Sequence, residues 1–533
     1  MKRKISAFLF IPVLILIASC STNYFSFREN YRNTNALLYE TGKTKVKPFL
    51  KAHLYNGDVC ILSDTWTVDP DQDTLSGTGV LFDYNRKKIS EGNMSILLDS
   101  VAIFETNQKI APDESPRIAA LSILAGADVI LGIICITNPK ACWGSCPTFY
   151  LNENANIHYA DAEGFSDAIS PSMEHSDIDA INRHFIAGST FPITMKNEAL
   201  ETHCINDLKL MAYPLEENER IYQTRDNNFL LCRNTYPLNL AAGPEGDITT
   251  LLIDNDKQER SGTADEKNLN SKEEIYLNFE NVQNTNDLGL IISFRQTLMT
   301  TYFIYNGIAY CGDEAGDIFA EIERNGRTKE QLQNGISKIL GNIDLYLWNK
   351  SANSWEFQGG FNETGPIAFN DQILPLTVKS KDSTVRIKLV LNKGLWCLDY
   401  FALTNIMEKV NPVEIFPDEI FKNGSVNNDD LINIKSPGKY LISMPGDVYK
   451  MNFILPEENR YYDLFLYTGG YYLEWMRQSW MKDKNLIKLN QMVRNPDKYL
   501  QSEAKAYKEY EKTMVQEFWN SKINSETFSG DGK

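Results

Sequence analysis

Residues 383–403 read STVRIKLVLNKGLWCLDYFAL. Val385, Ile387, Leu389 and Leu391 recur every second position, which puts them on one face of a strand. Asn392, Lys393 and Gly394 turn the chain, and Leu395, Trp396, Cys397 and Leu398 run back along it. The pattern recurs upstream, where Ile343, Leu345 and Leu347 point one way, a polar turn follows, and WEFQGGF completes a hairpin. With further strands to about residue 466, these hairpins predict an antiparallel jelly-roll-like β-sandwich over 273–468. Helical insertions interrupt it. Residues 294–322 read as an apolar helix broken at Gly312, and Thr328 with Gln331 caps a helix that buries Leu332, Ile336, Ile339 and Leu340.

Beyond the sandwich the pattern turns helical over 469–525, and a second helix starts at Pro496. Trp475, Met476, Trp480, Tyr499, Tyr507, Tyr510, Met514 and Phe518 recur at helical spacing. They suit docking on the sandwich or a groove-binding face for a partner. Residues 526–533 form a frayed tail. Before the sandwich, the polar stretch 254–272 has no period and reads as a linker.

Residues 140–253 form a cysteine-containing β-hairpin domain of α+β type, opened by KACWGSCPTFYLNENANIHYADAEGF at 140–165. Cys142, Gly144, Cys146, Pro147, Tyr150, Tyr159 and Gly164 resemble the C-x-G-x-C-P-x-x-Y opening of an uncharacterised β-hairpin domain found in large bacterial lipoproteins. The resemblance covers about 25 residues and implies no activity. Cys142 and Cys146 leave three readings open. A local disulfide in an oxidising compartment would staple the hairpin. A thiol–disulfide role lacks the C-x-x-C spacing at a helix start, and a metal site lacks a second Cys or His pair. Cys204 and Cys232 read as a second disulfide on neighbouring strands, or as two buried thiols.

The N-terminal third adds a small β barrel-like unit over 21–112, with Asn56-Gly57 as a hairpin signal. Asp69, Asp71 and Asp73 are spaced like a calcium loop, but Thr74 and Val80 stand where that loop needs glycine and glutamate, so a turn is expected. Residues 113–139 form an apolar connecting helix; 118–136 is long enough to span a bilayer, although Asp128 near its middle would cost roughly 3 kcal/mol there. Residues 1–20 have the layout of a secretory signal, and Ile17, Ala18, Ser19 and Cys20 resemble a bacterial lipobox. That resemblance implies cleavage before Cys20, acylation of Cys20 (palmitate among its chains) and an outer-membrane anchor facing the periplasm. Ser21, Thr22 and Asn23 supply no retaining aspartate.

Function is less legible. The net charge of −17 argues against a phosphate-neutralising nucleic-acid face. Five histidines limit acid–base and zinc chemistry. Ser176 and Asp179 cap a short predicted helix on which Glu174, His175, Asp177, Asp179 and His184 form a charged face; the sharper reading of His175 with Asp177 or Asp179 is a metal or acid–base site. Glu198, Glu201 and His203 are spaced like neighbours on a helix. No HExxH, G-x-S-x-G or Walker-type motif occurs, so no catalytic residue, metal or cofactor is assigned. The expected function is a non-catalytic, lipid-anchored envelope lipoprotein that binds or scaffolds a protein or glycan. One alternative is a periplasmic hydrolase or metal-dependent enzyme using His175, His184 and His203 with nearby carboxylates. Another is a thiol–disulfide protein using Cys142 and Cys146. Trp348, Trp355 and Trp396 offer rings for glycan stacking, with core filling as their commoner role. The loop 362–366 could shape a binding surface.

The anchor is directly testable. Cys20→Ser should abolish palmitate incorporation and move the protein from the detergent to the aqueous phase on cloud-point partitioning; continued labelling of the variant would refute it.

Overall fold

The protein is described from a computed structural model covering residues 24–30, 50–54, 58–63, 66–69, 72–82, 88–109, 146–151, 159–199, 201–283, 286–312, 318, 335–363, 365–379, 383–443, 446–474, 483–520 and 522. The signal segment with Cys20, the apolar segment 113–139, Cys142, Gly144, the Thr328–Gln331 capping pair, Trp475, Met476, Trp480 and the tail 526–533 lie outside the described residues. Among the described residues no helix is long and apolar enough to cross a membrane. The chain is mainly β, with several antiparallel sheets, a few helices and a helical C-terminus.

The N-terminal unit is a seven-stranded sheet around its own core of Leu50, Ala52, Cys60, Leu62, Trp66, Leu75, Ile96, Leu98 and Val101. Strands Leu50–Leu54 and Val59–Leu62 pair across the Asn56-Gly57 signal. Strands Thr67–Asp69 and Thr74–Phe82 pair across the aspartate turn, where Asp69 accepts the Gln72 N–H at 3.2 Å. That stretch closes a hairpin, as its missing glycine and glutamate imply.

The larger body is threaded unexpectedly. Strand Arg460–Glu474 lies between His175–Ile186 and Glu201–Pro214 and pairs antiparallel with both. Strand Val448–Ile454 likewise pairs with Thr190–Lys196, which pairs with Thr148–Tyr150 of the cysteine hairpin. Residues 148–214 and 413–474 therefore build two sheets jointly, and 220–410 is inserted between them. The expected boundaries at 253 and 468 cut through this arrangement.

The insertion is the sandwich, made of two six-stranded sheets. In one, Leu288–Gln296 lies between Asn370–Pro375 and Trp396–Val410. In the other, Val385–Asn392 lies between Lys272–Phe279 and Ile343–Asn349. The alternating set Val385, Ile387, Leu389 and Leu391 is buried with Ile275, Leu277, Ile343, Leu345, Leu290, Ile292 and Trp396 in one core.

Three expectations need correcting. The polar stretch 254–272 is not a linker: Arg260 and Ser261 pair with Leu398 and Cys397, and Arg260 is buried against Glu273 at 2.5 Å and Glu245 at 2.8 Å. The helix expected after Ser176 is the strand His175–Ile186. Residues 469–474, expected to begin the helical region, complete a strand instead. The C-terminal helices Leu486–Arg494, Pro496–Glu511 and Met514–Asn520 follow, the second starting at Pro496. They dock rather than stand free. Tyr499 packs on Phe303, and Tyr507 and Tyr510 pack on Tyr302, both partners lying on helix Met299–Cys311. That helix ends, as the sequence suggests, at Gly312, whose φ of 56° suits glycine.

Asp399 is the extra residue of a bulge: Ser293 faces Tyr400 and Phe294 faces Leu398. It is fully buried, and burial followed by the charges of Asp256 and Asp371 pushes its carboxyl up to about 7. The folded protein thus holds a proton that the unfolded chain releases near its ordinary value, so this group's contribution falls as pH rises from about 4 to about 7. Between pH 5 and 8 the native Tm should fall further than that of Asp399→Asn; equal falls would refute this origin.

Candidate functional site

The outer face of the second sandwich sheet carries a row of rings. Because Val385, Ile387 and Leu389 point inward, Lys388 must point outward, and the same alternation sends Tyr346 and Trp348 out beside inward Leu345 and Leu347. The ladder aligns Tyr276, Lys388, Tyr346 and Phe357 across four strands, with Trp348 facing Trp355 in the next row. Gln358 is the extra residue of a bulge between the Leu345–Gly359 and Tyr346–Phe357 pairs, which keeps Phe357 and Trp355 on this face. Phe357 is 60% exposed and Tyr276 42% exposed, while Tyr346, Trp348 and Trp355 are half-buried.

The rings are held in place. Trp348 and Trp355 meet edge to face at 5.2 Å, Tyr346 and Phe357 at 5.4 Å, and Tyr276 lies 5.8 Å from Trp355. Lys388 Nζ sits 5.2 Å from the Tyr346 ring and 5.7 Å from Trp355, and bonds Glu274 at 3.0 Å. The Tyr276 hydroxyl also donates to Glu274. These two partners, the tyrosine first, hold the Glu274 carboxyl below its usual range. A cation over ring faces and a fixed carboxylate make the face amphipathic rather than simply oily. It offers flat apolar surface flanked by a donor and an acceptor.

The residues expected to carry chemistry are placed elsewhere. His175 faces Gly470 and His184 faces Tyr462 on one strand, so nine residues separate them, or about 30 Å. His175 bonds Asp167 at 3.2 Å, His184 the Ile181 carbonyl at 3.0 Å, and buried His203 bonds Glu201 at 3.0 Å. The three histidines have three separate environments. His175 does line a cleft of about 480 Å³, with Glu174, Asn206, Asp207, Phe416 and Tyr467 among its walls.

The cysteine hairpin is present: Thr148 pairs with Glu163, Phe149 pairs with Ala162, and the Gly164 N–H donates to the Pro147 carbonyl at 3.0 Å. Cys146 is a buried free thiol that donates to Glu163 Oε2 at 3.1 Å. Burial, then the Glu163 charge, pushes it well above its ordinary range, the reverse of what a redox thiolate requires. Glu163 itself is pushed up to about 7 by burial. Its Oε1 accepts the N–H groups of Ile367 and Ala368 at 2.7 and 3.0 Å, beside the loop 362–366. A Cβ on Gly365 would lie 1.9 Å from that oxygen, so glycine is required there. Cys204 and Cys232 lie buried on different sheets rather than on neighbouring strands.

No family model matches the chain, and no curated protein matches it. The fold and the face define a class only: a multidomain, mainly β protein that displays a solvent-facing aromatic sheet. Trp348 and Trp355 of the three tryptophans belong to that face, whereas Trp396 is core at 1% exposure. Sequence reasoning missed Tyr276, Tyr346, Phe357 and Lys388, although the alternation that placed their inward neighbours places them outward.

Stability separates the two kinds of ring. Trp396→Ala should cost about 3–5 kcal/mol by opening a cavity, whereas Phe357→Ala should stay within about 0.5 kcal/mol of the native protein in urea unfolding. Equal losses would show that the outer face is structural.

Proposed function

We propose that this chain is a lipid-anchored, non-catalytic protein of the cell envelope, held in the outer membrane through Cys20, that binds a glycan on the aromatic face of its sandwich. The observation carrying the reading is the alignment of Tyr276, Tyr346 and Phe357 across four strands with Trp348 and Trp355 beside them. Pyranose rings present one face of C–H groups, which packs on the electron-rich face of an aromatic ring, while their hydroxyls need donors and acceptors at the edge. Lys388 and Glu274 stand where such hydroxyls would fall. Four strands span about 14 Å, the reach of a short oligosaccharide rather than one sugar.

The lipobox resemblance supports the anchor, and the acidic chain argues against nucleic acid as the ligand. The separation of the histidines and the buried, protonated thiol of Cys146 leave the enzyme and redox alternatives without an assembled site.

The test is a glycan array followed by calorimetry on the full chain, in a detergent without a sugar headgroup. Binding should appear for at least one oligosaccharide class and weaken ten-fold or more in Trp355→Ala, about 1.4 kcal/mol. An empty array, or affinity unchanged in both Trp355→Ala and Tyr276→Ala, would overturn the reading and leave a protein partner as the occupant.

A further inference from the structure

A second feature, independent of the aromatic face, lies where the inserted sandwich meets the strands around it. Asp177 and Asp179 are two residues apart on strand His175–Ile186 and so project from the same face. Glu363 arrives from the loop between strands Ser354–Phe361 and Asn370–Pro375. One oxygen from each of the three carboxylates lies within 4.8 Å of the other two. Asp179 is 2% exposed and Glu363 6%.

Neutral amides orient these groups. Asp179 Oδ2 accepts the Glu163 N–H at 2.5 Å. Glu363 Oε1 accepts the Gly365 N–H at 3.2 Å, and its Oε2 accepts Asn370 Nδ2 at 2.8 Å. Asn370 Oδ1 in turn accepts the Ala180 N–H at 3.0 Å, which locks the loop to the strand. Burial and the charges of Asp177, Glu363 and Glu163 hold the Asp179 carboxyl well above its usual range. Two buried carboxylates and a half-buried one this close repel one another wherever they ionise together.

A different kind of oxygen donor lies on the same face. Thr468 lies directly opposite Asp177 in the ladder, so the two side chains share a face. Thr468 is 1% exposed, and its Oγ1 has no hydrogen-bond partner among the described residues. A buried hydroxyl left unsatisfied costs about 1–3 kcal/mol. Here it is on the sheet face that carries Asp177 and Asp179, against Gly164, with a lone pair to offer.

We infer that Asp177, Asp179, Glu363 and Thr468 bind one calcium ion, which clamps the loop 362–366 to strand His175–Ile186. Every donor is a hard oxygen, with no imidazole or thiolate in the set, which selects calcium or magnesium over zinc. Calcium is favoured because three carboxylates and a hydroxyl from three segments make an irregular shell, which it tolerates and magnesium does not. Bound there, it would offset two of the three carboxylate charges and give the Thr468 hydroxyl its partner. It would also tie the inserted sandwich to the sheet that receives it.

The experiment uses the full chain, stripped with chelator and titrated with calcium chloride, magnesium chloride or zinc chloride by calorimetry, with Tm followed in parallel. One calcium per chain should bind at least ten-fold more tightly than magnesium, and Tm should rise with calcium and fall again with chelator. Asp179→Asn should lose the calcium-dependent rise. Because that variant could misfold, Thr468→Val serves as the second: it should keep the metal-free Tm or raise it, while weakening calcium ten-fold or more. No binding at millimolar calcium, a Tm indifferent to calcium and chelator, or an unchanged calcium response in Thr468→Val would each overturn the site.

Discussion

The fold depends on one long-range pairing. Strand Arg460–Glu474 must reach the space between His175–Ile186 and Glu201–Pro214 before the sheet that holds all three can close. Roughly 250 residues separate the paired segments, yet closing so long a loop costs only about 3 kcal/mol more than closing a five-residue hairpin. The thirteen cross-strand pairs between Glu201–Pro214 and Arg460–Glu474, most of them buried, exceed that comfortably. The insertion also begins and ends at one place, because Ala212 pairs with Val413. The sandwich can therefore complete its own core without pulling its two ends apart.

This threading makes the junction between sandwich and receiving sheets chemically crowded. Asp463 accepts the Ile221 N–H and pairs with Arg220, Glu163 accepts two N–H groups from the sandwich loop, and Asn370 bonds to both neighbours of Asp179. Each contact joins a segment of the receiving body to a segment of the insertion. A buried polar interface of this kind is held in register by directional bonds, where an apolar one could slide. The same feature explains why carboxylates accumulate there: they accept backbone N–H groups across the junction.

How much of this was legible follows from strand geometry. Uninterrupted alternation, as in Val385 to Leu391, announced both the strand and its buried face, and with it the sandwich. Strand His175–Ile186 was misread because Ile181 is the extra residue of a bulge between the Ala180–Phe465 and Asn182–Leu464 pairs. The extra residue turns a spacing of two into one of three, so Ile178, Ile181 and Phe185 imitate a helical face and Ser176 imitates a cap. Asn182, at φ 69°, takes up the twist there. Polar sequence misled in the opposite direction at 254–272, because Arg260 is buried only in company with Glu273 and Glu245, a tertiary fact with no local pattern. The aromatic face was half legible: its tryptophans stood out, but assigning them to the core ignored the register that their own inward neighbours had set.

Bulges link the exceptions. Asn206 is the extra residue opposite Gly469 and Gly470, where a Cβ on Gly470 would lie 2.2 Å from the Cys204 carbonyl, and its side chain reaches Glu174 in the cleft. Gln358 keeps Phe357 among the outer rings, Asp399 is forced into the core, and Ile181 lies two residues from Asp179. In a regular ladder, strict alternation fixes the face on which each side chain falls. An extra residue breaks that rule locally without unmaking the sheet. A sandwich that tolerates these interruptions can place rings in solvent and carboxylates in its interior, and those two inversions are what separate its candidate sites from its scaffold.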